Sequence, residues 1–481
     1  MAIGTIAAGL LLAVSAAASA ADSVAEAAER KDFAALRVLL GQQADARAAQ
    51  ADGMTALHWA AHHGELEAVK LLIAAGAEVG ARSRYGVTSL SLACLRGHAA
   101  VVRVLLENGA DANTALPGGE TALMTAARTG LADSVRDLLA HGASVNAREQ
   151  KGQTALMWAA AEGNTDVVEA LLKAGADFRT PLDSGFTPFF FAVREGRTDV
   201  VLRLLEAGID VNDTMHPRAG GGARRRTTTP LLLAAATGHF ELGVALLDAG
   251  ADPNARPAGF TALHAMTWVR KPIRGDGDPP PTGSGAVDSL EFVRQLVSRG
   301  ADVNARLEHG ESGQGRFTTT GSTPFVLAAR TSDLPLLKLL LELGADSRLA
   351  NADHCTPLLA AAGVGALGNG DETAGTEEEA IETVFWLLQH GAQINAVDDN
   401  GETVMHGAAY QEWARLAEVL VEHGADLQVW NRENRWGWTP LMVAQGHRPG
   451  NYRPSPRTIA TLETLMRAKG VEPPPAAPTA P

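Results

Sequence analysis

The most regular feature of the chain is a pattern of apolar and polar positions that recurs along most of its length. A threonine followed two residues later by an apolar residue occurs every 33 residues in the first part of the chain and then at less even intervals. These threonines are Thr55, Thr88, Thr121, Thr154, Thr187, Thr229, Thr261, Thr323, Thr356, Thr403 and Thr439. Such a period predicts stacked copies of one small structural repeat rather than several independent domains.

Each repeat predicts two short helices. The threonine can cap the first helix with its hydroxyl, and small residues such as Ala60 allow close packing. A glycine such as Gly64 then separates the helices. The second helix has apolar residues at helical spacing, as at Val168, Leu171 and Leu172, and usually ends in Gly-Ala-Asp. Because one helix pair cannot bury its apolar face alone, the repeats must stack.

The motif itself is specific. Residues 55–58 and 261–264 both read TALH, and with the 33-residue period they resemble the ankyrin consensus T-P-L-H-x-A. This resemblance to the ankyrin-repeat family covers about residues 22–470. It implies an all-α solenoid of about twelve helix–turn–helix repeats with short projecting turns. It also implies that His58, His264 and His406, which occupy the histidine position of the motif, bond the backbone of adjacent turns.

The N-terminus differs from the repeats. Residues 2–14 are uncharged and mostly apolar, and residues 18–20 read Ala-Ser-Ala. This arrangement predicts a signal peptide over residues 1–20 with cleavage after Ala20, although no lysine or arginine precedes the apolar run. We therefore expect an exported, bacterial-type protein that is periplasmic or secreted and has no membrane span after cleavage. If the segment is not a functional signal, the protein is cytoplasmic.

One solenoid over residues 21–470 is expected to follow, with a disordered Pro- and Ala-rich tail at 471–481. Insertions rich in glycine, proline, serine and charged residues interrupt the period. They lie near 213–227, 270–286, 307–321, 363–379 and 449–458. We expect them to loop out of the stack, and insertions of this kind often contribute to binding.

Net charge and cysteine content exclude two possibilities. The formal net charge of −14 argues against nucleic-acid binding, which depends on lysine and arginine neutralising phosphates. Cys94 and Cys355 lie some eight repeats apart, too far for a disulfide within the chain. Cys94 occupies an inner helix position and should be buried, whereas Cys355 lies beside a turn and should react faster.

Motifs for catalysis or for a cofactor are weak. His58 and His62 have metal-ligand spacing, but no further ligand completes a site. Residues 363–368 match G-x-G-x-x-G without a preceding strand, as a flexible loop also would. The acidic residues at 371–379 could attract Ca²⁺ or start a helix. Hydrolase, metalloprotease and P-loop motifs are absent from the sequence, so we predict no enzyme, catalytic residue, cofactor or metal.

The resemblance implies a protein or peptide partner bound by a concave face made of exposed first-helix positions and turn tips. Carried over to this sequence, the partner-binding residues are Trp59, His62, Arg84, Tyr85, Arg128, Lys151, Trp158, Phe191, Arg194, Arg330, Tyr410, Arg435 and Trp436. The expected function is thus that of a monomeric, non-enzymatic interaction scaffold. The alternatives are a small-molecule or metal-ion binding protein that uses the insertions, or an enzyme built on them.

Two groups of aromatic residues leave a choice open. Trp59, Trp158 and Phe191 each lie four residues after the motif threonine, where they could either fill gaps between helices or form an exposed binding groove. Near the C-terminus, arginines and aromatic residues could bind a partner or pack the last repeat. This second group includes Trp430, Arg432, Arg435, Trp436, Trp438 and Arg448.

Overall fold

The computed structural model describes residues 23–216, 227–272, 285–310, 316–366, 375–448 and 453–474. The predicted signal peptide, residues 475–481 of the tail and part of each insertion lie outside the described residues. Within the described ranges the regular secondary structure is helical, without β-strands, and isolated β-bridges occur at turns. The all-α prediction is therefore confirmed. None of the described helices is both long and apolar enough to cross a membrane.

The chain divides into two compact units, of which the first ends at Leu182. Five helix pairs make up its described part. They are α1 (Val24–Glu29), α2 (Phe33–Gly41), α3 (Ala56–His63), α4 (Leu66–Ala74), α5 (Ser89–Arg96), α6 (Ala99–Glu107), α7 (Ala122–Arg128), α8 (Ala132–Ala140), α9 (Ala155–Glu162) and α10 (Thr165–Lys173).

The second unit begins at Asp183 and contains seven further pairs and one short extra helix, α23, among its described residues. Its helices are α11 (Pro188–Arg194), α12 (Thr198–Glu206), α13 (Pro230–Ala236), α14 (Phe240–Asp248), α15 (Ala262–Arg270), α16 (Ser289–Ser298), α17 (Pro324–Arg330), α18 (Leu334–Glu342), α19 (Pro357–Ala361), α20 (Glu377–Gln389), α21 (Val404–Tyr410), α22 (Ala414–Glu422), α23 (Leu427–Trp430), α24 (Pro440–Ala444) and α25 (Pro456–Ala468). The expected number of about twelve repeats is confirmed.

The motif threonine starts the first helix of its repeat, as predicted. At Thr88, for example, the hydroxyl accepts a hydrogen bond from the Ser91 amide at 3.1 Å, which satisfies one of the free amides of the helix start. The glycine break is equally regular. Gly64 and Gly163 end α3 and α9 in the left-handed conformation, with φ of 75° and 85°.

Neighbouring repeats stack as two layers. In the first unit, α1, α3, α5, α7 and α9 contact one another in sequence and form a first-helix layer, while α4, α6, α8 and α10 form the second layer. The core lies between them and contains fully buried residues such as Leu57 and Leu72. Asparagine side chains link successive repeats. Asn113 Nδ2 donates to the Gly142 carbonyl at 2.9 Å, and Asn113 Oδ1 accepts from the Ser144 amide at 2.8 Å.

Candidate partner-binding surfaces

Two tryptophans lie partly exposed on the first-helix layer of the first unit. Trp59 Nε1 donates to Gln50 Oε1 at 2.8 Å, and Trp158 Nε1 donates to Gln153 Oε1 at 3.1 Å. Both indole N–H groups are thus satisfied by the adjacent turns, and part of each ring faces solvent. At these two positions the aromatic residues do not simply fill gaps in the core.

Arginine and apolar side chains accompany the tryptophans. The guanidinium of Arg128 lies 5.0 Å from the centre of the Trp158 ring and 3.6 Å from Glu120 Oε1. Leu95 on the intervening helix α5 is 47% exposed. The cation–π contact and the ion pair restrict the Arg128 side chain, so this side chain loses little conformational entropy when a partner binds.

The turn tips add further exposed groups, since Arg84 and Lys151 are exposed and Tyr85 is 67% exposed. We call the whole set the aromatic–basic surface. It consists of Trp59, His62, Arg84, Tyr85, Leu95, Arg128, Lys151 and Trp158. Sequence reasoning missed Leu95, although Leu95 lies seven residues after its motif threonine, as His62 and Arg128 do after theirs.

In the second unit the predicted residues have mixed environments. Phe191 is buried, which supports gap filling at this one aromatic position, and the exposed Arg194 lies over its ring at 5.1 Å. At the turn before α24, Arg435 is exposed, and the partly exposed Trp436 lies 5.7 Å from the ring of Trp438. These turn residues remain accessible, whereas Phe191 is not a free aromatic anchor.

Parts of two insertions fold onto the first helices of the second unit, contrary to the expectation that they loop out. Phe317 is only 4% exposed, with the Arg330 guanidinium 4.7 Å from its ring centre. Its amide donates to the Gly365 carbonyl at 2.9 Å. The Thr318 carbonyl accepts from Asn351 Nδ2 at 2.6 Å. Arg330, predicted to meet a partner, is thus in contact with the protein's own Phe317 and is only partly exposed.

The second of these insertions also passes close to helix α21. A Cβ atom on Gly407 would lie 2.5 Å from the Ala362 carbonyl oxygen and 2.7 Å from the Val364 nitrogen. No larger residue fits there without a shift of backbone, since real Cβ atoms do not approach so closely. Gly407 therefore permits the chain at 362–364 to lie directly on the first-helix layer.

Tyr410 is not a partner-binding residue, because it is 1% exposed. Its hydroxyl donates to Glu402 Oε1 at 2.6 Å, and Asn434 Nδ2 donates to the same oxygen at 3.2 Å. Burial, with a smaller contribution from the nearby Asp398 carboxylate, raises the pKa of Glu402 to about 8 against the opposing effect of the Tyr410 hydrogen bond. Burial likewise raises the pKa of Asp398 to about 6. These residues form a buried polar cluster beneath the surface.

The motif histidines have the structural role that the resemblance implies. His58 Nδ1 accepts from the Thr55 amide at 3.1 Å, so Nε2 carries the proton and donates to the Val87 carbonyl at 3.1 Å. His264 and His406 make the equivalent contacts, to the carbonyls of Ser322 at 3.2 Å and Trp438 at 3.1 Å. Burial lowers the pKa of both to about 4, which keeps them neutral.

The C-terminal arginines and aromatics are partly core. Arg448 is buried, donates to the Ala409 carbonyl at 3.2 Å and pairs with Glu412 at 2.6 Å. Trp430 is buried as well. Both residues thus pack the last repeats, whereas Arg432 and Arg435 are exposed and Trp436 and Trp438 are partly exposed.

The possible cofactor and metal sites have simple structural explanations. Residues 363–366 follow helix α19 rather than a strand, so they lack the context of a dinucleotide-binding loop. Glu379 Oε2 accepts from the Thr376 amide at 2.9 Å in a capping box, which confirms the helix-start alternative. Residues 367–374 lie outside the described residues. Across the described ranges no group of three or more histidine, cysteine, aspartate or glutamate residues could hold a metal ion.

Both cysteines are free thiols and both are buried. Cys94 is buried as predicted, and burial raises the pKa of its thiol to about 12. The expectation that Cys355 is more accessible is wrong, because its backbone amide is bonded to Asn351 Oδ1 at 2.8 Å and its side chain points into the core. Burial and the carboxylates of Asp398 and Glu402 also raise the pKa of the Cys355 thiol well above its usual value.

We therefore expect neither thiol to react with a disulfide reagent in the native protein on the timescale on which an exposed cysteine reacts, since only the thiolate is nucleophilic. Both should react at once in denaturant. Following the absorbance of the released reagent with and without denaturant measures this. Rapid modification of Cys355 in the folded protein, identified by peptide mapping, would contradict the buried position.

Comparison with known families identifies the repeats. The family model for ankyrin repeats in groups of three matches residues 24–116, 123–215 and 374–452, and the single ankyrin repeat model matches residues 228–257. Together these matches cover more than half of the chain. The chain belongs to the ankyrin repeat family. Ankyrin repeats are generally protein–protein interaction modules, and proteins of this family are typically not enzymes.

Individual relatives of this ankyrin repeat protein match over part of their length. Potassium channel AKT1 of Oryza sativa subsp. indica is 36% identical over 73 residues, which are 15% of this chain and 8% of the channel. An ankyrin repeat protein of fowlpox virus (strain NVSL) is 32% identical over 157 residues, 32% of this chain and 40% of that protein. Neurogenic locus notch homolog protein 1 of Homo sapiens is 32% identical over 214 residues, 40% of this chain and 8% of that protein.

The chain thus spans less than half the length of each of these relatives. Among solved structures, the ankyrin repeat domain of human ASB11 aligns over its whole length with 54% of this chain, at 28% identity and a TM-score of 0.40. The family accounts for the helix pairs, the threonine caps and the buried histidines of this ankyrin repeat protein.

Proposed function

We propose that this ankyrin repeat protein is a non-enzymatic interaction scaffold that binds a protein or peptide partner through the aromatic–basic surface. The observation that carries the proposal is the pair of partly exposed tryptophans, Trp59 and Trp158, with their N–H groups already bonded. Tryptophan, tyrosine and arginine are enriched among the few residues that carry most of the binding energy of a protein interface. Placed on helices, these side chains lose little conformational entropy on binding.

The contrast with the second unit supports the same proposal. There, Phe191 is buried, Arg330 packs against Phe317, and Tyr410 lies inside a polar cluster. Of the residues predicted to bind a partner, those in the first unit are all at least partly exposed, whereas Phe191 and Tyr410 in the second unit are buried. The exposed turn residues Arg435 and Trp436 could add contacts, but they lack accessible aromatic neighbours on α21.

A photo-crosslinking amino acid tests this surface directly. Placed at Tyr85, it should trap a specific protein from the exported fraction of the native cell, whereas the same group at Phe385, an exposed position on α20, should not. The trapped protein can then be purified and its affinity measured.

Replacing Trp158 by alanine should weaken the affinity for that partner about 30-fold, or roughly 2 kcal/mol, because Trp158 is an accessible anchor. The free energy of unfolding should fall by only about 1–2 kcal/mol, less than the roughly 3–5 kcal/mol typical of a fully buried tryptophan. Titration of the partner and urea denaturation give the two values. Phe385→Ala is the matched control, and it should leave the affinity unchanged.

Two results would overturn the proposal. The first is a loss of several kcal/mol of stability in Trp158→Ala, which would show that the ring is part of the core. The second is unchanged affinity in Trp59→Ala and Trp158→Ala together, which places the partner elsewhere.

We also propose that the protein is exported and cleaved after Ala20, which the apolar residues 2–14 and the Ala-Ser-Ala at 18–20 support. N-terminal sequencing of protein from its own cell should find a chain that begins at Ala21 in the periplasm or medium. Ala20→Arg should leave the precursor uncleaved, because signal cleavage requires a small residue there. A cytoplasmic protein that begins at Met1 refutes export.

A further inference from the structure

Five basic or titratable side chains gather at one edge of the aromatic–basic surface. We call them the histidine–arginine cluster: Lys31, His62, His63, Arg96 and His98. They lie at or just after the ends of α1, α3 and α5, three neighbouring first helices. The Arg96 guanidinium contacts both ring nitrogens of His62, with Nη2 3.1 Å from Nε2 and Nε 3.4 Å from Nδ1. His98 Nε2 lies 3.2 Å from the His62 carbonyl oxygen.

The cluster concentrates positive charge without a carboxylate to balance it. Glu29, at the end of α1, is bonded through Oε2 to Gln50 at 2.6 Å, and its backbone carbonyl lies 3.0 Å from His63 Nε2. Within residues 23–216, neither Lys31 nor Arg96 takes part in a salt bridge. Burial lowers the pKa of His62, and the charges of Arg96, His63, His98 and Lys31 lower it further.

Contact between an arginine and a histidine is electrostatically unfavourable once the histidine is protonated. A neutral imidazole has one acceptor nitrogen, so only one of the two Arg96 contacts can be a hydrogen bond. An anion that replaces this direct contact removes the conflict, because a carboxylate accepts from the guanidinium and from an imidazolium at the same time. The arrangement therefore favours an anionic group from outside the chain.

Apolar surface adjoins the cluster and indicates what carries the anion. The Trp59 ring lies edge-on to His62 at 5.8 Å and stacks on His63 at 6.0 Å. Leu95, the residue before Arg96, is exposed. A ligand that satisfies both features has a carboxylate next to an apolar side chain, as in an acidic segment of a protein. A free inorganic anion would leave Trp59 and Leu95 uncovered.

We infer that the partner presents an acidic segment, with a carboxylate that bonds to both Arg96 and His62 in place of their direct contact, and an apolar side chain against Trp59 and Leu95. This inference rests on the proposed function and specifies the chemistry of its partner. Since the carboxylate stabilises protonated His62, the complex takes up a proton on binding. Affinity then rises as the pH falls toward 6, and it falls with added salt because the cluster is at the surface.

A defined peptide tests the inference on the full-length protein. The probe is a fluorescently labelled eight-residue peptide of alternating glutamate and leucine, and its charge-reversed counterpart has lysine in place of glutamate. Fluorescence anisotropy should show that the acidic peptide binds and its charge-reversed counterpart does not. The affinity for the acidic peptide should be about tenfold higher at about pH 6 than at about pH 7.5. Arg96→Glu should weaken binding at least tenfold. Arg37→Glu, the same charge change at an exposed position on α2, should leave it unchanged.

Each of the other possible results of this experiment shows which part of the inference is wrong. Equal effects of Arg96→Glu and Arg37→Glu mean that the peptide responds only to net charge, which overturns the cluster as a site. Competition by inorganic phosphate as effective as that by unlabelled peptide overturns the acidic segment in favour of a simple anion site. If the natural partner needs Trp158 but binds Arg96→Glu normally, this inference fails while the proposed function stands. Thermal denaturation of both variants excludes loss of folding as the cause.

Discussion

Replacement of Glu402 by glutamine should stabilise the protein by up to about 4 kcal/mol at about pH 8 and have little effect below about pH 4.5. Glu402 is 2% exposed, and its pKa is raised to about 8. The folded state therefore holds a proton on this carboxyl over a pH range in which the unfolded chain has lost it. Glutamine is neutral at every pH and can still accept a hydrogen bond from the Tyr410 hydroxyl.

The direction of this pH dependence follows from the linkage between proton binding and folding. Below the unfolded pKa, about 4.5, both states are protonated and the wild-type stability is fully present. As the pH rises from there to about 8, folding requires a proton that the unfolded state no longer carries, so the free energy of unfolding falls. Above the folded pKa the loss is complete. Asp398, whose pKa is raised to about 6, contributes a smaller loss of the same sign over a lower pH range.

Urea denaturation at a series of pH values measures the effect as the difference between Glu402→Gln and the wild type. Glu433→Gln is the control, because Glu433 is an exposed glutamate in the neighbouring turn and should give no pH-dependent difference. A constant difference between Glu402→Gln and wild type from about pH 4.5 to 9 would falsify the buried, protonated carboxyl.

The repeat architecture could be predicted from the sequence because each of its parts is local. Thr88 caps its helix through Ser91, three residues away, and Gly64 ends a helix through its own backbone conformation. The position of Trp158 could also be predicted, since every repeat places the residue four after the threonine at the same point of its first helix. What the period could not predict is whether a given position is exposed. Trp158 is partly exposed, but Phe191 at the equivalent position is buried.

The environment of the second unit depends on contacts between residues far apart in sequence. The Phe317 ring packs against Arg330, and the Phe317 amide is bonded to the carbonyl of Gly365, nearly fifty residues away. No periodic pattern contains this information, because both segments lie in insertions. Glu402 was overlooked for a related reason: a glutamate in a turn is normally exposed, and its partners Tyr410 and Asn434 come from different repeats.

One residue did carry a usable indication of this packing. Gly407 lies inside helix α21, at the position four residues after Thr403 where Trp59 and Trp158 occur in other repeats. Glycine in a helix costs about 1 kcal/mol relative to alanine, so its presence there indicates that something approaches closely. The chain at 362–364 is what approaches.

Gly407→Ala should therefore lower the free energy of unfolding by about 2 kcal/mol, although helix propensity alone predicts a gain of about 1 kcal/mol. The new Cβ would lie 2.5 Å from the Ala362 carbonyl oxygen, and this backbone cannot move aside as a flexible side chain could. Displacement of the segment should also loosen the bond between the Phe317 amide and Gly365. Urea denaturation measures the stability, and hydrogen exchange at the Val364 and Phe317 amides should become faster.

Gly41→Ala provides the matched control, because Gly41 is the last residue of helix α2 and has no atom within 4 Å of the added Cβ. There the helix preference of alanine acts without a clash, so the protein should become slightly more stable, by about 0.5 kcal/mol. If Gly407→Ala is as stable as Gly41→Ala, with exchange at Val364 unchanged, the insertion does not lie on α21. Its first-helix surface is then open to a partner. If instead the free energy of unfolding falls in Gly407→Ala and rises in Gly41→Ala, the insertion covers the first-helix surface of α21.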